Sequence, residues 1–112
     1  MSPQELAPIF SSLGDPTRLQ LVSRLLAGKA LSISRLAEGN DISRQAISKH
    51  LAVLQKSGVV QSQRNGRENL FALQSESITA AQDYLNQVAA QWDDALMRLQ
   101  TFLEDPSDPI EP

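Results

Sequence analysis

Apolar residues fall at helical spacing through most of this chain, and each stretch is bracketed by start and stop signals. Leu6, Ile9, Phe10 and Leu13 mark one face of a first helix. Ser2-Pro3-Gln4-Glu5 opens it with a capping serine, a proline suited to the first helical turn and a glutamate that completes a capping box; Gly14 ends it. Asp15-Pro16 opens a second helix in the same way. Its apolar positions are Leu19, Leu21, Val22, Leu25 and Leu26, with Gly28 just past its end. A short third helix is predicted from about Ser32 to Glu38, with Ile33, Leu36 and Ala37 inward, and Gly39-Asn40-Asp41 is a turn. The fourth helix begins at Ile42-Ser43, with Ser43 as its cap, and Gly58 closes it.

At Val59 the pattern changes. Two strand-like runs, Val59 to Arg64 and Arg67 to Leu73, flank Asn65-Gly66, and Asn-Gly in that setting is the strongest short-range hairpin signal. A last, long helix is predicted from about Glu76 to Glu104. Its apolar residues are Ile78, Ala81, Leu85, Val88, Trp92, Ala95, Leu99 and Phe102, spaced alternately three and four apart in a sustained heptad. Such a helix runs roughly 40 Å at 1.5 Å per residue, more than a small globular body covers. Part of the stripe is therefore expected to meet a second copy of the chain. The fold predicted is mainly α, five helices with a two-stranded β-hairpin between the fourth and fifth. Residues 1–105 are expected to form one domain, followed by an acidic, proline-rich tail at 106–112.

Composition narrows the function. The 112 residues contain no cysteine, which excludes disulfides, thiolate metal sites, iron–sulfur clusters and cysteine nucleophiles. No apolar run approaches the ~18 residues of a membrane span. Met1 to Phe10 has neither the basic start nor the apolar block of a signal peptide, so a cytoplasmic location without membrane contact is expected. There is no phosphate loop, G-x-G-x-x-G, zinc-binding His motif or nucleophile elbow, and no enzyme or cofactor is predicted.

The net charge of −3 conceals a segregation. From Asp41 to Leu73 there are five basic residues, Arg44, Lys49, Lys56, Arg64 and Arg67, against Asp41 and Glu68. From Gln74 onward Arg98 faces eight acidic residues. Positive charge is thus gathered in the segment of the fourth helix and hairpin.

A helical wheel shows what that helix offers. With Ile47 at the centre of the core face, Leu51 and Leu54 fall beside it, whereas Gln45, Lys49, Ala52 and Lys56 point away and Arg44 and Ser48 lie on a flank. An amide can read adenine bidentately, lysines reach guanine or phosphate, and a small side chain permits close approach. A short helix, a tight turn and a second helix make a helix-turn-helix, whose second helix enters the major groove of double-stranded DNA. Arg64 and Arg67 at the hairpin tip suit an adjacent minor groove or its phosphates. His50, the single histidine, sits at the margin of the core face; a positioning role, packing or touching phosphate, is favoured over base reading.

The run Asp15-Pro16-Thr17-Arg18-Leu19, then Ser43-Arg44-Gln45-Ala46-Ile47-Ser48-Lys49-His50-Leu51 with Leu54 and Gly58, then Gly66-Arg67-Glu68 with Phe71, resembles the ArsR/SmtB family of winged-helix repressors. The resemblance spans roughly Pro3 to Glu104. It implies operator binding that represses transcription, and a homodimer through the first and last helices. With the wheel and the heptad stripe, the expected DNA contacts are Arg44, Gln45, Ser48, Lys49, His50, Lys56, Arg64 and Arg67, and the expected interface residues are Leu6, Phe10, Leu85, Val88, Trp92, Leu99 and Phe102. The chain departs from the metal-sensing members. Their cysteine pair on the third helix aligns with Ser32 and Ser34, and the last helix carries Asp83, Asp93, Asp94 and Glu104 but no histidine. Carboxylates alone are poor ligands for zinc, nickel or copper, so no metal site is expected and the inducer stays open. The alternative to a DNA-binding repressor is a winged-helix adaptor that pairs with proteins through the long helix.

Overall fold

The computed structural model describes residues 1–104. They form α1 (Pro3–Leu13), α2 (Pro16–Leu25), α3 (Ile33–Ala37), α4 (Arg44–Lys56), β1 (Val60–Asn65), β2 (Glu68–Leu73) and α5 (Ser75–Glu104). The expected tail at 106–112 lies outside the described residues. Each of the first four helices starts where a side-chain oxygen caps it. Ser2, Asp15, Ser32 and Ser43 accept from the backbone N–H three residues on, at 3.3, 3.0, 3.2 and 3.1 Å, each satisfying one of the donors a helix start leaves unpaired. Glu5 also accepts from the Ser2 hydroxyl, at 3.2 Å.

Met1–Ala81 makes one compact unit. Its core joins Leu6 and Ile9 of α1, Leu21, Val22 and Leu25 of α2, Leu36 of α3 and Ile47, Leu51 and Leu54 of α4. Val59, Val60 and Phe71 from the hairpin region and Ala81 complete it. Leu19 and Leu26, also apolar positions of the second helix, are exposed. At 100° per residue they fall more than a quarter-turn from Leu21 and Leu25, outside the stripe one core can cover.

α4 ends in a Schellman motif. The Gly58 N–H bonds the Gln55 carbonyl at 3.1 Å and the Val59 N–H bonds the Leu54 carbonyl at 2.9 Å. Gly58 sits at φ +85°, where a side chain is disfavoured. Val59 and Leu54 are both fully buried, the hydrophobic contact that usually accompanies this cap.

The hairpin differs from expectation by one residue. Its register runs from Val60 opposite Leu73 to Asn65 opposite Glu68, so the turn residues are Gly66 and Arg67. Gly66 has φ +66°, and among the described residues no non-glycine residue has positive φ. That sign pattern belongs to a type II′ turn, with glycine first, and not to the type I′ turn that Asn-Gly favours. Leu31 bridges the free side of β2 through two bonds with Phe71, at 2.9 and 2.8 Å. The short rung fixes the strand whose Phe71 side chain enters the core.

α5 is a single helix of 30 residues. In its first turns Ser77 and Ala81 are buried, and the Ser77 hydroxyl donates to the Gly58 carbonyl at 2.6 Å. The chain from Gln82 is a second unit. There the heptad residues Leu85, Val88, Trp92 and Leu99 are exposed, and Leu96 and Leu103 widen the same stripe. Ala95 and Phe102 are half-buried. Among the described residues no helix is long and apolar enough to cross a membrane.

Candidate nucleic-acid interface

α4 has two contrasting faces. Ile47, Leu51 and Leu54 are buried almost completely. Arg44, Gln45, Ser48, Lys49, Ala52 and Lys56 are exposed. Among the described residues, the polar side chains on this outer face form no hydrogen bond or ion pair with the chain itself. An amide, a hydroxyl and three cations therefore stand free on the surface of a rigid, well-anchored helix.

Side chains from elsewhere set how α4 is presented. The short helix α3 leaves carbonyls unpaired at its end. Arg24 of α2 reaches across and donates Nη1–H to the Leu36 carbonyl at 2.8 Å and to the Glu38 carbonyl at 3.1 Å. Asn40 adds a bond from Nδ2 to the Leu36 carbonyl at 2.7 Å. Together they hold the turn of the helix-turn-helix. Sequence reasoning placed Asn40 in a turn but missed Arg24, since nothing in a helix-end cation reveals which distant carbonyl it serves.

His50 is half-buried at the edge of α4, with 26% of its side chain exposed. Arg18 Nη1 lies 3.3 Å from its Nδ1, and Arg18 Nε donates to the Ser12 carbonyl at 2.6 Å. Asp15 Oδ2 lies 3.9 Å from the same ring nitrogen. The Arg18 backbone N–H bonded to Asp15 holds that carboxyl below the usual carboxylate range, with the Arg18 charge acting in the same sense against partial desolvation. Sequence reasoning placed His50 at the margin of the core but missed Arg18 as its partner. The signal was the Asp-Pro-Thr-Arg run, which shows a cap and does not show where the arginine reaches.

The hairpin carries the remaining cations. Arg67 occupies the second turn position and is exposed without a partner among the described residues. Arg64 lies in β1 opposite Asn69, and its Nε donates to the Gly66 carbonyl at 3.3 Å, so it partly braces the turn. Gln55 on α4 donates from Nε2 to the Ser62 hydroxyl on β1 at 2.9 Å, tying the hairpin to the helix.

Residues 13–63 match the model of a helix-turn-helix domain. The chain is 33% identical over 78 residues to the transcriptional repressor SdpR of Bacillus subtilis, covering 70% of this chain and 82% of that one. It is 32% identical over 87 residues to the arsenical resistance operon repressor of Staphylococcus xylosus, covering 78% and 79%. A solved ArsR-like transcriptional regulator from Rhodococcus sp. RHA1 superposes with a TM-score of 0.75 at 34% identity, over 88% of this chain and 92% of that one. The chain belongs to the ArsR/SmtB family of winged-helix transcriptional regulators. As an ArsR/SmtB regulator it is a DNA-binding protein and not an enzyme; the β1–β2 hairpin is its wing.

Ser32 is a buried helix cap and Ser34 is exposed. Among the described residues no group of three or more His, Asp or Glu could hold a metal ion. The interface candidates divide. Leu85, Val88, Trp92 and Leu99 offer apolar surface. Phe10 is half-buried against the core. Leu6 is 6% exposed and packs in the core of its own chain. The α1 stripe, read as one face in the sequence, is spent inward at Leu6 and Ile9.

Proposed function

We propose that this ArsR/SmtB regulator is a cytoplasmic, homodimeric repressor that binds a pseudo-palindromic operator. The observation that carries the proposal is the outer face of α4, where polar and cationic side chains stand unpaired over a fully buried inner face. Gln45, Ser48 and Lys49 enter the major groove and read base edges. Arg44, His50 and Lys56 contact the backbone beside it, and Arg64 and Arg67 bring the wing to the neighbouring phosphates or minor groove. The exposed stripe from Leu85 to Leu103, with Phe10 in support, pairs two chains. A two-fold dimer places two recognition helices on half-sites about one helical turn apart.

The test is selection of bound fragments from the source genome followed by footprinting. Two symmetric protected half-sites are expected, with affinity falling steeply as salt rises. Failure to bind duplex DNA at low salt would instead favour an adaptor that pairs with proteins through α5.

A further inference from the structure

The contact between Arg18 and His50 has a chemical consequence. A guanidinium has five N–H donors and no acceptor. Arg18 Nη1 lies 3.3 Å from His50 Nδ1, and a hydrogen bond there requires an unprotonated Nδ1, which in a neutral ring puts the proton on Nε2. Arg18 is itself held from behind. Its Nε donates at 2.6 Å to the Ser12 carbonyl, a group at the end of α1 whose helical partner would be the nitrogen of Pro16, which has no proton. The guanidinium thus bridges the end of α1 to the recognition helix and cannot turn away from the ring without losing that bond.

The other ring nitrogen is accessible. Every buried side-chain nitrogen and oxygen among the described residues has a hydrogen-bond partner. Nε2 has none among the described residues, so it is not a buried atom. His50 directly follows Lys49, one of the free cations of the outer face.

We propose that Arg18 is a positioning residue for DNA binding, locking His50 as the Nε2–H tautomer so that its outward nitrogen donates to a phosphate oxygen. The proposal rests on the reading above that His50 meets the DNA backbone. Asp15 makes the lock necessary. Its carboxylate, 3.9 Å from Nδ1, can only accept. Without Arg18, Asp15 draws the ring to the Nδ1–H form. That form turns a lone pair toward the phosphate in place of a donor.

Two measurements on the full chain test this. Long-range proton–nitrogen correlation spectra at pH 8 report the tautomer of the single histidine. The wild type is expected to show Nε2–H, and Arg18→Met is expected to shift the ring toward Nδ1–H. Anisotropy titration of duplex DNA at the same pH should show Arg18→Met binding about tenfold more weakly, the loss of one hydrogen bond to a charged oxygen. In a His50→Gln background, where the amide donor needs no tautomer lock, Arg18→Met should change affinity less than twofold. The wild-type spectrum keeps the idea testable even if Arg18→Met fails to fold. A wild-type ring in the Nδ1–H form or a mixture overturns the lock. A locked ring whose replacement, His50→Ala, binds DNA like the wild type overturns the role through the docking of His50, leaving the lock itself intact.

Discussion

Gln45 and Ile47 stand two residues apart on α4 and have opposite surroundings. Ile47 is fully buried while Gln45 is exposed. That contrast was legible in the sequence because a 100° step and a list of apolar residues settle which way each side chain faces. If Gln45 pairs with a base edge, Gln45→Ala should cost ~1–3 kcal/mol on the preferred operator and much less on a scrambled duplex. Equal losses on both duplexes, measured by anisotropy, would place Gln45 on the backbone. Arg18 and Arg24 were not legible, since their partners lie 32 and 12 residues away and are reached through flexible side chains. Asp15 carries a pH consequence. Its carboxyl is held below its ordinary value, chiefly by the Arg18 N–H. The ionised form is favoured in the folded state, so this stabilisation is present above about pH 4 and is lost as pH falls through the lower folded value. Asp15→Asn keeps a capping oxygen and removes the charge. Urea unfolding should show the variant less stable than wild type at pH 7, with the gap narrowing as the pH is lowered into the acid range where Asp15 protonates in the folded state.

Whole elements were easier to read than their joints. Capping residues and glycine stops bounded the first four helices to within a residue or two, because each signal is a local hydrogen-bonding requirement. The hairpin tip was misplaced by one residue, since Asn65 joins the last rung opposite Glu68 and leaves the turn to Gly66 and Arg67. That shift puts Arg67 at the apex, where it can reach a phosphate. Arg67→Ala should then weaken all sequences alike and lower the slope of affinity against salt by about 1 per subunit. Loss confined to A·T-rich flanks would instead indicate a narrow minor groove. The end of α4 makes a separate demand. Gly58 combines φ +85° with the Ser77 hydroxyl 3.2 Å from where a Cβ would stand. Gly58→Ala should destabilise by ~1–2 kcal/mol from the left-handed conformation alone, and thermal unfolding would show it.

At the scale of the whole molecule, charge and apolar surface are segregated along the chain. The cationic segment 41–73 contains the recognition helix and wing, whereas the acidic remainder contains the exposed heptad stripe. An acidic surface is repelled by DNA, which suits the stripe to protein contact. Large apolar side chains left in water at 54% for Leu85 and 64% for Trp92 are costly unless covered. In the proposed dimer a second copy of the same stripe covers it across a two-fold axis. The heptad was legible in sequence; the inward commitment of Leu6 was not, because a helix's apolar positions do not reveal whether its own core or a partner takes them. Trp92→Glu places a charge in the middle of the stripe, at a position exposed in the single chain, so the monomer should keep its helical content. Sedimentation should show dimer for the wild type at micromolar concentration and monomer for Trp92→Glu. Two half-sites can be held together only by a dimer, so operator affinity should fall far more than half-site affinity. A wild-type monomer at these concentrations, or a Trp92→Glu dimer with full operator affinity, would remove α5 from the interface.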